Sequence, residues 1–163
     1  MKMESLLGCS LPLLFLLASR ASAADETTLW VSDDVNKLIY HVTLEGATLA
    51  SWHSGSISEV AIGTGADAGT LWAAKEGSNL IMHFSATGQT LGSFPGTTYD
   101  PLAATPEGVP QDFTDGTLWI LDGLTDLVYQ VQANGAPIAS CSTLGLDPLA
   151  ISAQGIATDP TDD

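Results

Sequence analysis

Short runs of alternating apolar and polar residues, broken by turn formers, dominate the chain after its first two dozen residues. TLWVSD (28–33), TLWAAK (70–75) and TLWILD (117–122) each alternate and end at turn residues, as strands with one better-buried face do. KLIYHVT (37–43), NLIMHFS (79–85) and DLVYQVQ (126–132) follow, each stopping before a glycine turn. A third segment comes next in TLASW, TLGSF and PIASC. A fourth precedes the next Leu-Trp pair in SEVAIGTGAD (58–67) and PEGVPQDFTD (106–115), and recurs as AQGIATDPTD (153–162). No sustained helical period occurs between 24 and 163, so the pattern predicts an all-β protein.

These segments are copies of one unit. Trp30, Trp72 and Trp119 are 42 and 47 residues apart, and the positions at fixed distances behind them match. Ten residues on stand Tyr40, Met82 and Tyr129, and sixteen on stand Gly46, Gly88 and Gly135. Leu49, Leu91 and Ile138 follow at nineteen, then Trp52, Phe94 and Cys141 at twenty-two. Four short antiparallel strands every 40 to 50 residues, with recurring aromatic positions, are the pattern of β-propeller blades. With the segment of the PEG type named A, the chain reads B C D, A B C D, A B C D, A: about three blades, permuted by one strand. The three tryptophans are expected to pack between adjacent blades, where large aromatic side chains bury most area.

The succession PEGV, DGTLWILD, LVYQV and then Gly resembles the NHL and SMP-30/gluconolactonase-like group of six-bladed propellers, over nearly all of 25–162. A WD40 repeat is disfavoured, because neither Gly-His nor Trp-Asp occurs. The resemblance implies that segment A is the innermost strand of each blade, so that Glu59, Glu107 and Gln154 line a central channel. It further implies a divalent-metal ligand role for Glu107 and, less securely, Glu59, with Gln154 in the matching place and Ca2+ or another divalent cation as the cofactor. A wet channel mouth lined by solvated carboxylates is the competing reading of the same three residues.

Three blades do not close a ring, since propellers have four to eight. Two resolutions stand side by side: a homodimer completing a six-bladed ring, in which 153–159 completes the partner's first blade, or a chain that is a fragment of a longer propeller.

The first 23 residues, with Lys2, the apolar run Leu11–Ala18 and the small-residue site Ala21-Ser22-Ala23, have the layout of a secretory signal peptide. The expected mature domain is 24–163, secreted into an extracellular or periplasmic space. Leu6-Leu7-Gly8-Cys9 has the composition of a lipoprotein box but precedes the apolar run. No second apolar run of membrane length follows.

The whole chain carries a formal charge of −15. Removing 1–23 leaves Lys37 and Lys75 against 18 carboxylates, −16. Two lysines assemble no basic patch, which excludes nucleic acid as a partner. A self-repelling soluble surface, cation binding and adaptation to a salty medium all accommodate the acidity. Cys141, the one cysteine beyond residue 23, is expected to be a small buried residue with no disulfide.

Other polar residues read mainly as structure. Asp33, Asp34 and Asn36, and Asp122, Thr125 and Asp126, lack the spacing of an EF-hand loop and read as turn formers capping backbone groups. Asp112 and Asp159 belong to turns after segment A. His41 and His83 match Gln130 and read as polar residues on an exposed side of the second strand. There is no nucleophile elbow, Cys/His cluster or phosphate loop. No catalytic residue is therefore assigned. Two functions compete: a non-catalytic binding scaffold presenting loops and a channel to a protein, glycan or small ligand, and a metal-dependent lactonase or related hydrolase.

Overall fold

A computed structural model describes residues 27–57, 59–75, 77–145 and 153–159. The segment read as a signal peptide lies outside them. Among these residues eleven strands form three antiparallel sheets, one per sequence unit. The first sheet holds β1 (Thr28–Asp33), β2 (Leu38–Thr43) and β3 (Thr48–His53). The second runs β4 (Glu59–Ile62), β5 (Thr70–Lys75), β6 (Leu80–Ser85) and β7 (Thr90–Pro95). The third runs β8 (Pro106–Gly108), β9 (Leu118–Asp122), β10 (Leu127–Val131) and β11 (Pro137–Ser142). The all-β, partial-propeller architecture read from the sequence is the one observed, and among the described residues helix is confined to three short 3₁₀ turns.

Alternation assigns each strand's side chains to two faces, and the register shows which blade each face meets. Leu71 pairs with Phe84 and Ala73 with Met82. That face of the second blade packs with Ile39, Trp30 and Trp52 of the first. The opposite face, Trp72, Ala74, Ile81 and Phe94, packs with Leu118, Ile120, Tyr129 and Val131 of the third. Trp72 is 3% exposed, at the interface between two blades as its spacing predicts.

Two glycines fix how close neighbouring blades approach. A Cβ on Gly88 would lie 2.4 Å from the Trp52 ring, and one on Gly135 would lie 2.6 Å from Phe94. Both glycines sit at positive φ, 83° and 86°, which suits the turn between the last two strands of a blade. Each aromatic of a last strand thus rests on the bare turn of the next blade.

Polar groups join the blades at the ends of the inner strands. The buried Gln111 amide accepts from the Thr64 N–H at 2.6 Å and donates to the Asp67 carboxylate and the Gly116 carbonyl, both at 2.9 Å. Thr64 also donates its hydroxyl to the Asp112 carbonyl at 3.0 Å. Within the third blade the Asp122 carboxylate is fully buried. One oxygen accepts from the Ala104 and Thr105 N–H groups, and the other from the N–H groups of Leu124 and Thr125 and the Thr125 hydroxyl. The turn-capping role expected of Asp122 is present, and it also anchors the approach to β8.

Four expectations change. Trp119, unlike Trp30 and Trp72, lies on the face of its blade turned away from the second blade, half-buried beside Asp112. Segment 153–159 belongs to no strand or ladder, although the Thr158 hydroxyl donates to the Gln111 carbonyl at 3.2 Å. It has the sequence pattern of an inner strand, but no fourth-blade β strand is present beside it among the described residues. Cys141 is exposed, because its face of β11 lies on the far side of the third blade from the second. His41 and His83 are half-buried, stacked on Trp30 and Trp72 with ring centroids 4.1 and 4.0 Å apart. Each pairs with a threonine hydroxyl at 2.7 Å, Thr28 and Thr70 respectively, and Gln130 makes the matching bond to Thr117 at 3.1 Å.

Two substitutions test this packing by chemical denaturation. Trp72→Ala should cost about 3–5 kcal/mol, the usual price of emptying a large aromatic site. Asp122→Asn should cost about 3 kcal/mol or more, because an amide NH2 cannot accept from the donors that face it. Losses under 1 kcal/mol in both would contradict the assignment.

Candidate functional site at the inner-strand mouth

While one concave feature, of about 370 Å3, lies apart against Asp100, Leu102, Leu124 and Leu127, three others meet where the inner strands give way to the loops leading into β5 and β9. Phe113 is 53% exposed there. It lines three hollows at once. One, of about 270 Å3, lies against Asp112, Thr114, Trp119 and Asp159. A second, of about 500 Å3, lies between Asp67, Gln111, Asp115 and Gln132. The third, of about 280 Å3, runs inward along Glu59, Val60, Pro110 and Ile156. The loop QDFTDGT holds Phe113 outward because its neighbours are spent on the backbone. Asp112 accepts from the Thr114 N–H and hydroxyl at 2.8 and 2.6 Å, and Asp115 does the same for Thr117 at 2.9 and 2.7 Å.

The electrostatics of the mouth are one-sided. Asp112 is held below the usual carboxylate range, first by the Thr114 hydroxyl, with further help from the Trp119 indole N–H, which reaches it at 3.1 Å. It stays ionised through the neutral range. Burial lowers the pKa of His83, and the nearby Asp67 partly opposes that shift. The single ion pair among the described residues, Lys37 with Asp34 at 2.7 Å, lies in the β1–β2 turn. An exposed aromatic ring bordered by carboxylates favours a ligand with positive charge and apolar surface.

The three residues proposed from sequence as metal ligands occupy different surroundings. Glu59 lines the inward hollow, where its carboxylate lies against Gly108, 2.5 Å from where a Cβ there would stand. Burial pushes its pKa up to about 7. The Glu107 side chain leans on Gly123, with a carboxylate oxygen 3.1 Å from that glycine's Cβ position. Gln154 is exposed, and Ile156 is the member of its segment that reaches Gly108. Among the described residues no three His, Cys, Asp or Glu side chains are grouped to hold a metal ion.

Sequence reasoning missed Phe113. The available signal was one large apolar residue inside an otherwise polar loop, at a place where the second unit has only glycine and alanine.

No protein-family model and no curated protein matches the sequence. Solved structures do match in shape. Catalytically inactive H270A virginiamycin B lyase from Staphylococcus aureus, in complex with quinupristin, aligns with TM-score 0.54 and 16% identity, over 71% of this chain and 37% of that one. The WD40 repeats of RRP9 align with TM-score 0.53 and 17% identity, over 72% and 36%. Sqt1 of Saccharomyces cerevisiae gives 0.52 and 14%, over 71% and 31%. At these identities the likeness establishes a β-propeller-type repeat fold and nothing finer. The chain spans about a third of the length of the structures it matches.

Glu59 makes stability depend on pH. Its folded pKa, near 7, lies above its ordinary 4.5, so the folded state holds the proton more tightly. The contribution is intact below about 4.5 and is lost as pH rises through about 7. Glu59→Gln should therefore leave stability nearly unchanged at pH 4.5 and raise it at pH 8 by about 1–2 kcal/mol, after allowance for solvent screening. Equal effects at both pH values, measured by urea unfolding, would contradict a desolvated Glu59.

Proposed function

We propose that this chain is a secreted β-propeller binding module without catalysis of its own, which uses the acidic mouth around Phe113 to hold a protein, glycan or small ligand. The propeller fold supports the scaffold, and the exposed Phe113 at the junction of three hollows carries the choice of site. Carboxylates at Asp112, Asp115 and Asp159 favour ligands that present ammonium or guanidinium groups beside apolar surface. Export rests on the leader-like residues 1–23, and no helix among the described residues is long and apolar enough to cross a membrane.

The desolvated Glu59 favours one second reading, a divalent-metal-dependent lactonase or related hydrolase of the SMP-30/gluconolactonase type. In it Glu59, Glu107 and Gln154 supply oxygen ligands to Ca2+ or a similar cation. The cation would polarise a carbonyl when bound, and the chain's own part would be to position it at the inward hollow.

One set of measurements separates the two. Screening the full chain against lysine- and arginine-containing peptides, glycans and lactones should give binding that Phe113→Ala weakens at least tenfold, without turnover. Binding indifferent to Phe113→Ala would remove the proposed mouth. Calcium uptake by calorimetry that Glu59→Gln abolishes, together with lactone hydrolysis, would replace the scaffold by the enzyme.

A further inference from the structure

The three blades match in sequence pattern but not in burial, and the first blade differs most. Leu71 and Leu118 are 1% and 0% exposed, whereas their counterpart Leu29 is 47% exposed and Val31, two residues on, is 44% exposed. The register puts Leu29 opposite Val42 and Val31 opposite Tyr40, on the face of the first blade turned away from the second. At the other end, Trp119 is paired with Gln130, and Leu121 with Val128. They lie with Cys141 on the face of the third blade turned away from the second.

The glycine contacts show what each end lacks. Trp52 rests on Gly88 and Phe94 on Gly135. The next pair in the series is Cys141 with Gly46, and Gly46 has nothing within 4 Å of its Cβ position although its φ, 83°, matches the other two. The inner strands repeat the pattern. Among the described residues the first sheet has three strands where the others have four, and none of them lies inside β1. Segment 153–159 is an inner segment without a ladder. Its Thr158 hydroxyl donates to the Gln111 carbonyl, while the Thr64 N–H donates to the Gln111 side-chain oxygen, so Gln111 links by different bonds to residues forty-seven positions away on either side.

We infer that two copies of this chain close on each other about a two-fold axis, the Cys141 face of each covering the partner's Leu29–Val31 face and 153–159 pairing with the partner's β1. Each end supplies what the other lacks, so one isologous arrangement satisfies both twice and yields six blades. The strand addition is β-augmentation between identical chains. The register follows from the second blade. Glu59 pairs with Ala74 there, so Gln154 stands opposite the partner's Ser32, and Cys141 stands over the partner's Gly46. A second copy suits the surface better than an unrelated protein, because the missing and the surplus pieces belong to one repeat. The inference rests on the propeller fold and not on ligand binding, although Trp119 and segment 153–159 also border the first hollow of the mouth.

Cysteine pairs test it in the full chain carrying Cys9→Ser. With native Cys141 retained, Gly46→Cys should give, on mild oxidation, a disulfide-linked dimer that Cys141→Ser abolishes. Because a side chain at positive φ strains the turn, a second pair is needed. Chains carrying Ser32→Cys and Gln154→Cys singly, in a Cys141→Ser background, should cross-link with each other when mixed. Light scattering on the unmodified chain should give twice the monomer mass. A monomer at micromolar concentration, open-ended oligomers, or a dimer in which neither pair cross-links would each overturn the inference.

Discussion

The constraint on which this molecule depends is the seating of a last-strand side chain on the glycine turn of the next blade. Trp52 on Gly88 and Phe94 on Gly135 bring ring and backbone so close that no Cβ fits between them. The same glycines adopt positive φ, so backbone conformation and available space both require glycine. A four-stranded blade in isolation has two apolar faces in water. Stacking against neighbours turns those faces into interior, which is why the unit is written repeatedly and not once.

From that contact the rest follows in order. It aligns Leu71 and Phe84 with the first blade, and Trp72 and Phe94 with the third, giving two half-shared cores. It sets the inner strands side by side, where Gln111 ties the second and third blades through two hydrogen bonds, to Thr64 and Asp67. Those ties fix the loop that carries Phe113. The candidate mouth is therefore a product of blade spacing, and its acidity comes from carboxylates first needed to cap turns.

Much of this was legible in the sequence. The spacing of Trp30, Trp72 and Trp119 gave the repeat, the columns of Gly46, Gly88 and Gly135 gave the turns, and Asp33, Asp112 and Asp122 do cap backbone N–H groups. The misses share a cause: alternation says which residues share a face but not whether a neighbour covers it. Cys141 aligns with Trp52 and Phe94, yet it is exposed because no following blade lies beside it among the described residues. The same limit applies to His41 and His83, read as outward-facing, whose rings instead stack on the tryptophans opposite them across the ladder. Segment 153–159 has the composition of an inner strand and no ladder. Glu59, Glu107 and Gln154, read as ligands from matching positions, stand apart from these misses: spacing places their segments, and the direction of a side chain, Glu107's toward Gly123, lies beyond it.

The central claim is that contact between blades, and not turn geometry alone, demands the glycine column. Gly77 provides the control, since it lies in the same blade at a φ of 70° with nothing within 4 Å of its Cβ position, while Gly88 at 83° faces Trp52. Alanine at either position carries the backbone strain of positive φ, about 1 kcal/mol or slightly more. Comparing the two single variants by urea unfolding isolates the contact. Gly88→Ala should lose at least 1 kcal/mol more than Gly77→Ala. Equal losses would contradict the stacking of blades through Trp52 and Gly88.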